Sequence, residues 1–290
     1  MPTRSADHRL PQAPTAPATA TAPLVRTVGD RRTLEFMPGD IQSEMRLSRP
    51  DALISAYCRA IMAFVLFVPD PRHIVMVGLG GGSLAKFCYR HFAHARITVI
   101  ELRADVIALR NAFGVPPDDA RFQVVHADAT DWLAALAATR EGRDAQEGNV
   151  DGAAGVDVLV VDGFDSAGLP PALGSARFYG DCRRVLHDGG VLVANIFSYD
   201  PHYTGMLARL GLMFDGRLCR FDGVAGNNRI VFALKAPAGA PGALAAPVRR
   251  ALRLQRWVAR RNGLGMGLLN RLLVAGVIAW CRSGCKESHD

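Results

Sequence analysis

Asp162 and Asp165 come first, because two carboxylates at D-x-x-D spacing follow directly on the apolar run Val156-Asp157-Val158-Leu159-Val160-Val161. A buried strand that ends in acids delivers them to the carboxyl edge of a sheet, where open α/β sheets bind ligands. Such a pair can hold a cationic amine and strip its proton, a step any amine needs before it attacks, since an ammonium has no lone pair. The plainer alternative is a turn capped by Asp165 with Asp162 in water. Gly78-Leu79-Gly80-Gly81-Gly82-Ser83 follows another apolar run, His73 to Val77. Glycines at that point let the backbone turn sharply and approach a ligand, which makes Gly78, Gly80 and Gly82 the expected contact positions. Read as G-x-G-x-x-S, the loop lacks the third glycine of a dinucleotide fingerprint. Glu101 closes the next strand about 20 residues further on, where a carboxylate can accept both hydrogen bonds of a ribose diol. Asp128-Ala129 ends a third strand and suits an exocyclic adenine amine, which offers donors to a carboxylate. As an ordinary helix N-cap, Asp128 would need no ligand. Loop, Glu101 and Asp128 together favour an adenosyl ligand over a nicotinamide dinucleotide.

The elements that must position these acids are apolar runs alternating with helical stretches. Runs at His73–Val77, Ile97–Ile100, Phe122–His126, Val156–Val161 and Val191–Phe197 are separated by helical patterns that include Asp131–Ala138 and Phe178–Leu186. Strands without polar alternation are covered on both faces, and their alternation with helices implies a parallel sheet with right-handed crossovers. The expected fold class is α/β: a doubly wound, mostly parallel Rossmann-like sheet over residues 71–236. A helix near Tyr203–Leu212 then leads to two short strands, Leu218–Phe221 and Ile230–Leu234, in a hairpin-like connection. By fold-level analogy, a parallel sheet ending in an antiparallel hairpin is the S-adenosylmethionine-dependent transferase pattern. Residues 25–70 read as a small β-hairpin turning at Pro38-Gly39, then a helix that opens at Pro50-Asp51 and ends near Pro69. Residues 1–24, rich in Pro, Ala and Thr, read as a disordered tail. Glu141–Gly155 reads as a surface insertion, 237–247 as a linker, and 248–290 as a basic helical segment weakened at Gly263, Gly265 and Gly267.

The 290 residues allow one large domain or two small ones. The net charge of +7 matches the nine basic and two acidic residues between Val248 and Asp290, so the first 247 residues balance to zero. A neutral main body is not built to neutralise a phosphate backbone, and nucleic acid is excluded as a principal partner. The basic segment is expected to pack on the domain with its arginines in water; the competing reading is contact with an anionic membrane surface. Asn270 and Arg271 interrupt its apolar stretch, which falls short of the ~20 residues a spanning helix needs. Six cysteines without a C-x-x-C pair, and no apolar leader after a charged start, predict a reduced, cytoplasmic protein. The histidines show no ligand spacing, so no metal is expected. Ser83 and Ser166 lie outside any G-x-S-x-G elbow, which argues against a hydrolase.

From Arg26 to about Leu234 the chain resembles the polyamine aminopropyltransferase (spermidine synthase) family, and more closely its bacterial spermidine-synthase-like members. The matching positions are Gln42, Tyr57, Gly78 and Gly80, Glu101 with Asp105, Asp128-Ala129, and Asp162 with Asp165. The resemblance implies transfer of an aminopropyl group from decarboxylated S-adenosylmethionine to putrescine or a related small amine, without a metal and in a homodimer. It implies that Asp162 deprotonates or orients the attacking amine with Tyr57 assisting, that Glu101 holds the ribose and Asp128 the adenine, and that Asp165 helps bind the amine. Two departures stand out. The family loop reads G-G-G-D-G, with an aspartate that fixes the donor's ammonium, and Gly81 stands in its place. After the helix tyrosine the family carries His or Gln and then a Glu for the diamine, where this chain has Cys58-Arg59; an arginine facing a diamine would repel it. A methyltransferase of the same fold using intact S-adenosylmethionine, or a non-catalytic adenosyl-binding relative, therefore stays open.

Overall fold

The computed structural model describes residues 22–147, 155–164, 168–236 and 263–284. The expected tail, the 237–247 linker, most of the basic segment's first half and Asp165 lie outside the described residues, apart from the tail's last three positions. Those positions run into β1 (Leu24–Val28), which pairs antiparallel with β2 (Arg31–Glu35), and β2 pairs with β3 (Ile41–Arg46). The expected hairpin is thus a three-stranded sheet. Its Pro38-Gly39 turn falls between β2 and β3, where Gly39 has φ +87° and donates its N–H to the Glu35 carboxylate at 2.8 Å.

The helix expected from Pro50 starts later, as α1 (Ala56–Ile61), and runs into a 3-10 turn at Met62–Leu66. Residues 46–52 are taken up by two consecutive turns, with Arg49 N–H bonded to Arg46 C=O and Ala52 N–H to Arg49 C=O. Leu53 is therefore buried from a loop, although its spacing suits a helix face.

The main sheet contains β4 (His73–Val77), β5 (Arg96–Glu101), β6 (Phe122–His126), β7 (Val156–Val161), β8 (Leu186–Phe197), β9 (Leu218–Ala225) and β10 (Asn228–Leu234). Its order is β6-β5-β4-β7-β8-β10-β9, parallel except for β10, which is antiparallel to both β8 and β9. Both faces are covered, which is why the strands read as unbroken apolar runs. Ile74 and Met76 face one core with α2 (Ser83–His91) and α1; Val75 and Val77 face the other with α4 (Ala129–Glu147), α5 (Ala176–Val185) and α6 (Tyr203–Met213). A short α3 (Ala104–Ala108) follows β5. The insertion expected from Glu141 is helical at its start, since α4 continues to Glu147; Arg140 donates to the Val185 carbonyl and Glu141 pairs with Arg184.

The last helix, α7 (Gly263–Gly284), begins with the glycines expected to break it. Tertiary packing outweighs their propensity cost. Val274, Val277, Ile278 and Cys281 recur at i, i+3, i+4 and i+7 and are buried in the α1–α2 core, while Leu272 and Trp280 face outward. Among the described residues no helix is long and apolar enough to cross a membrane. The N-terminal sheet is fastened by Lys86, buried on α2, whose Nζ donates to the Phe113 carbonyl at 2.6 Å and meets Met45 Sδ of β3 at 3.1 Å. Burial pulls its ammonium down to about 8.

The packing of α7 sets a contrast between two of its residues. Ile278→Ala should lower the unfolding free energy by about 2–4 kcal/mol through a core cavity, and Leu272→Ala should stay within about 0.5 kcal/mol. Urea unfolding followed by circular dichroism measures both; equal losses would show that α7 does not pack as described.

Candidate active site

The strand order turns back between β4 and β7, and at that switch point the carboxyl ends of β4, β5, β6 and β7 open into a cleft of about 460 Å³. Its wall includes Gln42, Tyr57, Gly78, Gly80, Glu101, Asp128, Ala129 and Asp162. Eight positions expected from separate stretches of sequence thus meet in one place.

The glycine loop is stitched to both neighbouring strands. Gly78 N–H donates to Ile100 C=O of β5 at 2.8 Å, and Asp162 N–H donates to Val77 C=O of β4 at 3.0 Å. Gly78 has φ +95°, and a Cβ there would stand 2.5 Å from the Asp162 carbonyl oxygen, so only glycine fits. Glu101, 9% exposed, anchors the loop's far side: one carboxylate oxygen accepts Leu79 N–H at 2.8 Å and the other Arg103 N–H at 2.9 Å. Burial raises its proton affinity, and those backbone donors oppose the rise. Each oxygen keeps acceptor capacity for one hydroxyl of a diol.

Gly82 is not among the residues lining the cleft. It starts α2 at φ +65°, against Val115, whose Cγ2 a Cβ would meet at 2.5 Å; its role is structural. At Gly81 a Cβ would meet Ser43 Oγ at 2.7 Å and Phe113 Cδ1 at 2.9 Å. The loop's lack of an aspartate is therefore built into its packing. The expected repulsion from Arg59 does not arise: Arg59 is not part of the cleft wall, and its guanidinium donates to the carbonyls of Leu53 (2.9 Å) and Ile54. Cys58 does line the cleft, and burial pushes its thiol far above the ordinary range.

Asp128 is a helix cap that also lines the cleft. Its Oδ1 accepts Thr130 N–H at 2.7 Å and the Thr130 hydroxyl at 2.5 Å, capping α4, while the residue faces the cleft. Gln42 lies on β3 with its amide bonded to Asp40 at 2.8 Å. Asp105 does not line the cleft; it grips Arg103 through two bonds of 3.0 and 2.7 Å. Arg103 itself lines the cleft, its guanidinium 4.6 Å from the Phe36 ring centroid. Neither Arg103 nor Phe36 was expected.

Asp162 is the most perturbed acid in the cleft. Burial raises its carboxyl to about 7, against the opposing hydrogen bonds from Asn195 and Tyr57. Asn195 Nδ2 donates to Asp162 Oδ1 at 2.8 Å, and the Tyr57 hydroxyl, held protonated by burial and by the neighbouring carboxylate, completes the setting. Beside them Phe164 lines the cleft and contacts Phe197 at 4.4 Å between centroids, and Phe197 stacks on the exposed Tyr199 at 5.1 Å. Asn195 is missing from the sequence reading, although a lone polar residue inside Val191–Phe197 is a visible signal. Among the described residues no cluster of three His, Cys, Asp or Glu forms a metal site.

This sheet order and cleft define a transferase of the S-adenosylmethionine-dependent type. The chain belongs to the polyamine aminopropyltransferase family. It is 33% identical over 208 residues to the polyamine aminopropyltransferase of Chromobacterium violaceum, covering 71% of this chain and 74% of that one. It is 31% identical over 209 residues to the Neisseria meningitidis polyamine aminopropyltransferase, covering 71% and 73%. No protein-family model matches the chain. Among solved structures, a probable spermidine synthase from Corynebacterium glutamicum shares the fold with a TM-score of 0.62 at 20% identity, over 88% of this chain and 89% of that one. Human methyltransferase-like protein 13 in complex with SAH aligns with a TM-score of 0.50 at 25% identity, over 74% and 93%.

The crowding at residue 81 gives a direct test. Gly81→Asp should cost about 1–3 kcal/mol of stability through overpacking against Ser43 and Phe113, read from the urea midpoint. An unchanged midpoint would mean that the loop has room there.

Proposed function

We propose that the enzyme transfers an aminopropyl group from decarboxylated S-adenosylmethionine to a polyamine such as putrescine. The observation that carries this reading is Asp162, a half-buried carboxyl raised to about 7 and bonded by Asn195 and Tyr57 in the wall of an adenosyl-type cleft. A carboxyl with that proton affinity is about half ionised at neutral pH, and its ionised form is a stronger base toward an ammonium than an ordinary carboxylate. Family membership and the fold support the same chemistry.

In this reading Glu101 accepts the ribose hydroxyls and Asp128 the adenine amine, while Gly78 and Gly80 let the backbone approach the donor and Gln42 and Ala129 complete its pocket. The ammonium of the acceptor gives one proton to Asp162. Its freed lone pair forms the N–C bond to the donor's propyl carbon as the C–S bond breaks, and that electron pair turns the sulfonium into the neutral thioether of methylthioadenosine. Tyr57 steadies the Asp162 carboxylate, Phe164 offers an apolar wall to the acceptor's methylenes, and Asp165 is the proposed partner of its distal ammonium. The same reading takes the enzyme as a cytoplasmic homodimer. With Gly81 at the loop, the donor's own ammonium meets neutral groups instead of an acid. Gly81 thus does not decide between the two donors, and methyl transfer from intact S-adenosylmethionine is the second reading. Parallel calorimetric titration with the intact donor, the decarboxylated donor and methylthioadenosine separates the two by relative affinity.

Glu101→Ala should weaken methylthioadenosine binding by about 1–3 kcal/mol; unchanged affinity in the folded variant would remove the ribose assignment. Asp162→Asn should cut methylthioadenosine release by at least about 100-fold with putrescine, spermidine, cadaverine or agmatine as acceptor, and leave methylthioadenosine affinity unchanged. Because only ionised Asp162 accepts a proton, wild-type turnover should fall as pH drops through about 7, and that inflection should vanish in Asp162→Asn. Release that survives the substitution would keep the enzyme class and discard Asp162 as the base. Asp165→Asn should raise the KM for the amine with little change in kcat.

A further inference from the structure

Asn195 is 1% exposed, near the end of β8 within its apolar run Val191–Phe197. A buried amide must satisfy both of its ends. Its Nδ2 donates to Asp162, and its Oδ1 accepts a hydrogen bond from Asn228 Nδ2 at 2.9 Å. Asn228 opens β10. The β8–β10 register sets Asn228 opposite Phe197 and Ile230 opposite Asn195, which makes the two asparagines diagonal neighbours on one face of the sheet. The β9–β10 register slips between Asn228 and Ile230, and irregularities of this kind re-aim side chains at functional sites. A carboxylate can only accept, so the chain of bonds has one polarity: Asn228 donates to Asn195, and Asn195 donates to Asp162. The other groups around Asp162 are Tyr57 and Cys58 of α1, and β4 brings the Val77 carbonyl to its backbone N–H.

We propose that Asn228 is a positioning residue for Asp162: by donating to Asn195 it keeps that amide turned with its N–H toward the carboxylate, so that Asp162 stays ionised and aimed into the cleft. Its importance for turnover rests on the reading of Asp162 as the proton acceptor; the positioning itself does not. Without the Asn228 donor the Asn195 carbonyl is buried and unpaired. Half a turn of the amide then relieves it by facing that oxygen to Asp162, where only a protonated carboxyl offers an O–H. The antiparallel hairpin, which holds none of the adenosyl ligands, thereby sets the pH at which the site is ready.

The test follows the Asp162 carboxyl by carbon-13 NMR in the full chain without ligand, its resonance assigned by its absence in Asp162→Asn. Asn228→Ala and Asn228→Asp each remove the donor at a partly exposed position, so whichever variant folds decides the matter. The Asp162 midpoint should rise by about one pH unit in either variant. In an Asn195→Leu background Asn228→Ala should add no further shift, because its effect passes through Asn195. The acid limb of the pH–rate profile should move up by the same amount, with methylthioadenosine affinity unchanged. An unmoved midpoint, or a shift that persists in the Asn195→Leu background, would overturn the positioning role. A wild type that transfers no aminopropyl group while its midpoint shifts as described would instead defeat the proposed reaction and leave the positioning intact.

Discussion

The carboxyl edges of β4 and β7 are pressed together so closely that a single Cβ would part them. The Asp162 carbonyl lies 2.5 Å from where a side chain at residue 78 would begin, and the Val77 carbonyl takes the Asp162 N–H from the other side. This contact puts the glycine loop and Asp162 on the same short stretch of edge, so a ligand held by the loop would lie beside Asp162. Glu101 extends the arrangement by fastening the far side of the loop through Leu79. Proximity of this kind is what converts two bound reactants into an effectively unimolecular pair.

Removing carboxylates from water costs free energy, and the site offsets that cost unequally. Glu101 receives two backbone donors through its side chain and so remains a hydrogen-bond acceptor despite its burial. Asp128 spends one oxygen on a helix cap. Asp162 receives side-chain donors only, and burial outweighs them, leaving it near the middle of the physiological range. Glu101 and Asp162 thus reach their proton affinities by different routes that can be read from their partners, and acids set in different environments tend to divide into binding and reacting roles.

Strands β4 to β7 were legible to within a residue at each end, because a parallel sheet covered on both faces leaves runs such as Ile74–Val77 and Val158–Val161 with no polar interruption, whereas β8 starts earlier, at Leu186, and β9 runs on to Ala225. Each acid expected at a strand end was found there for the same reason, Asp165 alone lying outside the described residues. What failed was rotation about helices and sidedness within loops. Tyr57 faces the cleft and Arg59 does not, since two residues along a helix turn the side chain by about 200°; their order in the chain conceals this. Gly82 looks like its neighbours in a glycine run, yet Val115, more than thirty residues away in the chain, decides its role. Asn195 and Asn228 were invisible as a pair because only the β8–β10 register brings them together.

The packing around Gly81 also bears on how this chain can change over generations. A residue with a side chain at 81 collides with Ser43 from the N-terminal sheet and with Phe113 from the loop before β6. An acid in this loop is therefore accommodated best when Ser43 and Phe113 move or are replaced with it. The three sites are coupled by packing, so a change at 81 is felt at Ser43 and Phe113. Glycine at 81 thus sits against Ser43, which also lines the cleft, and against Phe113, so the electrostatic character of the loop is tied to the seating of the N-terminal sheet.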